Sequence, residues 1–228
     1  MQLKPQDFLV ALKLVAWGDQ RWTYARLAQE LGLSASEAHA SVKRGLLSGL
    51  LLQNRASAAS FAGAAGAGAQ ALREPQGIYR VTRKRVRRSA VHSEEDVGLP
   101  DNPVRVHAQA LAEFALHGAK YAFPGVRLPL AVGVPTSHSA PAFAGVFAPG
   151  STDFVWPHPN GSVRGMGVEP LHPSVPFAAM QDAKLYDMLA LFDALRVGKA
   201  RERNMAMERL QALIDPSAPT PQKDSPRG

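Results

Sequence analysis

The sequence predicts a mainly α-helical chain with small β elements, of the α+β class. Three observations predict it. Apolar residues recur at helical spacing between capping signals through residues 5–48. β-type runs are few and short, and one pair near residues 154–168 brackets an Asn-Gly turn signal. Helical apolar stripes then return from about Met180 to Ile214.

The elements follow in order. Residues 5–16 read as a helix, with Pro5 in the first turn and Asp7 at the positive end of the helix dipole. Phe8, Leu9, Leu12, Val15 and Ala16 recur at helical spacing, and Gly18 stops the helix. Thr23 suits the cap of a second helix, Tyr24 to Leu31, with Leu27, Ala28 and Leu31 inward and Gly32 as its breaker. Ser34-Ala35-Ser36-Glu37 is a capping box that opens a third helix running to about Ser48. Its inward side is expected to hold Ala38, Val42, Gly45 and Leu46. Leu50–Leu52 and Ile78–Val81 are β-type runs suited to pairing with each other.

Between those runs, Ala56 to Ala71 is dominated by Ala, Gly and Ser and reads as a flexible loop, with a short Ala-rich helix as the alternative. An acidic, turn-rich stretch from Ser93 to Pro103 is expected to be a linker. A helix is then predicted over Val104–Tyr121, with Val106, Ala110, Phe114 and Tyr121 on its core face. Residues 122–151 are rich in Pro and Gly and read as irregular. A hairpin is expected from Phe154–Trp156 and Ser162–Val168 around Asn160-Gly161. Final helices are expected over Met180–Val197 and Lys199–Ile214, separated near Gly198. The proline-rich tail 215–228 reads as disordered. The expected organisation is therefore a domain over 1–90, a linker over 91–103, a domain over 104–214 and the tail.

Composition narrows the function. The chain has 228 residues, 46% of them hydrophobic, and no cysteine. It therefore has no disulfide framework, thiolate metal site or Cys nucleophile. No stretch reaches the ~18 apolar residues of a membrane span. Met1–Asp7 carries acid and amide where a secretory signal would be basic and then apolar, so a cytoplasmic location is expected. The net charge of +7 is unevenly spread. Residues 1–90 hold 14 Lys/Arg against 5 Asp/Glu, and residues 91–228 hold 12 against 14. A basic first part joined to a nearly neutral second part suits a polyanion partner for the first.

Ala28, Gly32, Ala38 and Val42 supply a small residue, a turn glycine and two packing contacts. Two helices in that arrangement approach closely across a tight turn. With the preceding helix and the β-type runs after Leu50, Leu27–Glu37 and Gly49-Leu50-Leu51 resemble the winged helix-turn-helix of MarR-like bacterial transcriptional regulators. The resemblance covers about residues 5–85 and includes a long Ala/Gly-rich wing loop. It implies that the helix starting at Ser34 reads the major groove of double-stranded DNA. Ser36, His39 and Lys43 would then reach base edges, with Arg44 nearer the backbone. Ser34, Thr23 and Tyr24 would meet phosphates. Arg83, Lys84, Arg85, Arg87 and Arg88 form a basic run suited to phosphates or a minor groove.

No cofactor, metal site or catalytic group is expected. The seven histidines show no ligand spacing, and no Gly-rich phosphate loop ends in Lys-Ser/Thr. The most suggestive segment, Pro135-Thr136-Ser137-His138-Ser139-Ala140-Pro141, gathers hydroxyls around one His, and hydroxyls that satisfy a turn explain it. Residues 104–214 are expected to dimerise, sense a signal or hold a partner. The apolar stripe Leu185, Met188, Leu189, Leu191, Phe192 and Leu195, and the residues Met205, Leu210 and Leu213, suit a core or a two-fold contact. The expected function is a DNA-binding regulator, a repressor and homodimer. The alternatives are an antitoxin-like protein that autoregulates by DNA binding and holds a partner protein, and an interaction module with no DNA role.

Overall fold

The computed structural model describes residues 2–53, 104–146 and 152–217. Three helices come first: α1 (Pro5–Trp17), α2 (Tyr24–Leu31) and α3 (Ala35–Leu47). Their starts follow the sequence signals. The Lys4 backbone N–H donates to Asp7 Oδ2 at 2.8 Å, Thr23 caps α2, and Ser34 and Glu37 form the capping box of α3. Phe8, Leu9, Leu12 and Val15 are buried as expected, as are Leu27, Leu31, Ala38 and Val42.

Strand β1 (Leu51–Gln53) pairs antiparallel with β2 (Val104–Val106), with Leu51 opposite Val106. The expected run Ile78–Val81, the basic run and the linker lie outside the described residues. The helix expected from Val104 therefore starts later. Val104 and Val106 are β-branched and alternate with Arg105, which suits a strand once Leu51–Gln53 offers a partner. The helix comprises α4 (Ala108–Glu113), a π-helical turn (Phe114–Gly118) and α5 (Ala119–Ala122). Its buried stripe is Leu111, Ala112, Ala115, Leu116 and Ala119. Phe114 and Val106 pack at the edge of the core, Ala110 is half-buried, and Tyr121 is 76% exposed. The π turn widens the helix, so a face extrapolated at 3.6 residues per turn misses Tyr121.

Residues 122–151 are not irregular throughout. Strand β3 (Arg127–Pro135) spans nine of them and is followed by short 3-10 turns at Ser137–Ser139 and Pro141–Phe143. Pro129, Gly133 and Pro135 hid the strand by interrupting its pattern. The expected hairpin is also corrected. β4 (Phe154–Pro157) pairs antiparallel with positions 133–135 of β3, and β5 (Val163–Val168) with positions 127–133. Asn160-Gly161 lies in a loop after which the chain resumes in the same direction. β4 and β5 are therefore parallel, and the three strands close on themselves. Closure brings backbones together at Gly133, where a Cβ would sit 2.0 Å from the Trp156 carbonyl oxygen.

Helices α6 (Val175–Gln181), α7 (Ala183–Val197) and α8 (Ala200–Ile214) complete the chain. The single helix expected from Met180 is broken at Asp182, whose carboxylate caps Lys184 and Leu185 at 3.0 and 3.1 Å. Leu185, Met188, Leu189, Leu191, Phe192 and Leu195 of α7 are core residues, as is Leu210 of α8, and Met205 and Leu213 pack at the core's edge. Thr136 and Trp156 both donate to the buried Asp193 of α7, at 2.9 and 2.5 Å, and tie the sheet to it.

Residues 2–53 and 104–217 belong to one compact unit with one core, although the sequence suggests separate domains for its early and late parts. Phe8 of α1 meets Phe114 at 5.6 Å and Phe192 of α7 at 5.0 Å. α1 is buried on nearly all sides because α3 flanks it on one side and α7 and α8 on others. Lys13 of α1 is fully buried and is paired with Glu30 of α2 and with Asp182, each at 2.7 Å. Among the described residues no helix is long and apolar enough to cross a membrane.

Candidate nucleic-acid interface

α2 and α3 are joined by a tight turn at Gly32, which adopts φ +63°. α6 packs against this turn: a Cβ added at Gly32 would lie 3.3 Å from the Phe177 ring. The outward side of α3 carries Ser36, His39, Lys43 and Leu47, all exposed and three or four residues apart. The opposite side, with Ala38, Ser41, Val42 and Gly45, is buried.

Thr23 stands exposed at the start of α2, and its Oγ1 accepts the Arg26 backbone N–H at 3.2 Å. Tyr24 is half-buried beneath this end, with its ring 5.4 Å from Trp22 and 5.0 Å from the His39 imidazole. Burial pushes the Tyr24 phenol above its ordinary value, so it is a neutral hydrogen-bonding group at pH 7. The ring contact brings the start of α2 against the middle of α3. Thr23, Tyr24, His39 and Lys43 thus belong to one side of the molecule.

Ser34 is exposed but occupied. Its hydroxyl donates to Glu37 Oε2 at 2.6 Å and accepts the Glu37 backbone N–H at 3.2 Å. Hydrogen bonds from the Ser34 hydroxyl and backbone N–H hold the Glu37 carboxyl below its ordinary value. Burial pushes the half-buried His172 imidazole down, and the charge of Glu37 opposes it.

Arg44 departs from its expected place at the DNA backbone. Its Nε and Nη2 donate to both oxygens of Asp7 at 2.7 and 2.6 Å, and Nη2 also meets Ser41 at 3.1 Å. Asp7 is fully buried at the start of α1, and its charge is stable there only with a partner. The last turn of α3 faces it, so Arg44 is drawn inward. Arg83, Lys84, Arg85, Arg87 and Arg88 lie outside the described residues.

Two exposed cations on this segment were missed from the sequence. Arg21 stands two residues before Thr23, and Arg105 is the outward residue of β2. The sequence suggests a helix at Arg105, whereas the residue stands on a strand that only its pairing with β1 defines. In the 135–141 segment, Thr136 donates to Asp193, Ser139 accepts the Phe154 N–H, and His138 Nε2 lies 3.2 Å from the Thr152 carbonyl. These contacts fasten the turn after β3. Among the described residues no group of three or more acidic or His side chains is arranged to hold a metal.

No protein family, curated protein or solved structure matches the chain.

Proposed function

We propose that the protein is a sequence-specific DNA-binding transcriptional regulator of the winged helix-turn-helix type. α3 enters the major groove, and Ser36, His39 and Lys43 meet base edges. One observation carries this. α3 is fastened on its inner side by Ala38, Val42 and Arg44, while its outer side presents a polar stripe that no described element covers. A helix fastened on one side, with Ser36, His39 and Lys43 exposed on the other, suits groove reading, because little ordering of its backbone is needed on binding. Three further features support it: the order of α1, α2, α3, β1 and β2, the Gly32 turn, and the cationic excess of residues 1–90.

Thr23 and Arg21 hold phosphates beside the groove, and Tyr24 supports His39 from below. Arg83, Lys84, Arg85, Arg87 and Arg88 add phosphate contacts. The protein acts in the cytoplasm as a homodimeric repressor, and no catalytic step is assigned to it. The test is selection of bound sequences from random double-stranded DNA by the full chain, followed by footprinting. A palindrome with half-sites about one helical turn apart is expected. Binding that stays at background in low salt removes the assignment.

A further inference from the structure

A polar cavity of about 520 Å³ opens between the end of α1, α2 and the junction of α6 and α7. We propose that it binds a small zwitterion the size of a free α-amino acid, a ligand carrying one ammonium and one carboxylate. The volume suits a small molecule. The lining selects its chemistry. Arg26, Glu30, Asp182 and the amides of Gln20 and Gln181 surround the space, with Trp17 as its aromatic wall.

The charges alternate and are held in place. Glu30 and Asp182 are both anchored at 2.7 Å by the fully buried Lys13. Burial pushes the Glu30 carboxyl up, but the hydrogen bonds from Lys13 and Arg26 outweigh this and leave it below its ordinary value, hence ionised. The Arg26 guanidinium lies 4.8 Å from the Trp17 ring centroid. Its Nε is committed to Glu30 at 2.8 Å and its Nη1 to the Arg21 carbonyl at 3.3 Å. Nη2 has no hydrogen-bond partner among the described residues, and a guanidinium has donors to spare. A ligand carboxylate pairs with Arg26 there, and a ligand ammonium pairs with the outer lone pairs of Glu30 and Asp182. A simple anion would face two carboxylates, and a simple cation would face Arg26 and Lys13. Among charged ligands, only one with both signs can set each charge against an opposite one in this lining.

The cavity also bridges two parts of the fold. Arg26 and Glu30 belong to α2, whose first residue and cap carry the proposed phosphate contacts, whereas Gln181 ends α6 and Asp182 caps α7. Occupancy therefore bears on where α2 stands, an effect on DNA that rests on the function proposed above.

The test is binding to the full chain without DNA, followed by calorimetry and by thermal shift. The probes are glycine, L-glutamine, L-glutamate, L-lysine and L-arginine, with propionate and n-butylamine as single-charge controls. At least one amino acid is expected to bind below millimolar concentration and to raise the melting temperature, with neither control doing so. Arg26→Gln and Gln181→Ala alter exposed side chains and are expected to weaken that binding at least tenfold. Three results overturn the proposal: no amino acid binding below millimolar concentration, a single-charge control binding equally well, or both variants binding like the parent. Adding the bound amino acid to DNA-binding assays then separates the two ideas. Amino-acid binding without any DNA binding refutes the regulator and leaves the site standing.

Discussion

On α3 the inner side turns a cation toward a buried carboxylate, and the outer side turns the preceding cation toward solvent. Arg44 gives both oxygens of Asp7 a hydrogen bond, and its side chain is only 13% exposed. Lys43 is exposed beside His39. The two residues carry the same charge and stand next to each other, yet one holds the fold and the other is free to meet a ligand. Charge alone therefore does not tell which of the two cations faces solvent; the direction imposed by the helical period does.

The largest effect is expected from breaking the inner side. Arg44→Ala strands a fully buried Asp7 and should lower stability by about 3–5 kcal/mol in urea unfolding. A midpoint close to the parent's would show that Asp7 finds another partner without loss. Next comes Gly45→Ala, which directs a methyl group to within 2.7 Å of the Leu51 side chain. Overpacking of this kind costs about 1–3 kcal/mol and should loosen the contact between α3 and β1. If the variant is as stable as the parent, Leu51 has room to turn aside.

The outer side is expected to behave in the opposite manner. Lys43→Ala should leave the unfolding midpoint within about 0.5 kcal/mol of the parent, as solvent-facing substitutions do. It should weaken binding to the selected DNA site by about 1–3 kcal/mol and relax the preference at one base position. An unchanged site preference would take Lys43 out of the reading set. A marked fall in stability would erase the distinction between the two sides.

The two sides were not equally legible in the sequence. Helix starts, the Gly32 turn and the inward residues of α1, α2 and α3 follow from local signals, since caps and periodicity act over a few residues. The partner of Arg44 did not follow, because Asp7 stands 37 residues away. The same limit explains the later part of the chain. β3 is broken by Pro129 and Gly133, and it becomes a strand only because β4 and β5 line up along it. The π turn at Phe114–Gly118 has no sequence signature, and it moves Tyr121 off the expected face. The outer stripe of α3 was readable as a candidate interface. The cavity at Trp17 and Arg26 was not, because Gln181 and Asp182 join it only through tertiary packing.

The smallest effect concerns the start of α3, where the two sides meet. The Glu37 carboxyl is held below its ordinary value of 4.5 by hydrogen bonds from Ser34. Above that value the carboxylate is charged in both folded and unfolded chains, and the cap's contribution is fully present. As the pH falls, the unfolded chain takes up the proton first, which favours unfolding. The contribution is gone once the pH has passed below the folded value. The stability difference between the parent and Glu37→Gln should therefore not fall between neutral pH and about 4.5, where protonation of His172 only adds to it, and should shrink below about 4.5. Paired urea titrations across that interval measure it. A difference that does not change on acidification would mean that Ser34 serves the amide as well as the carboxylate. In that case shape and hydrogen bonding, rather than charge, set the start of α3.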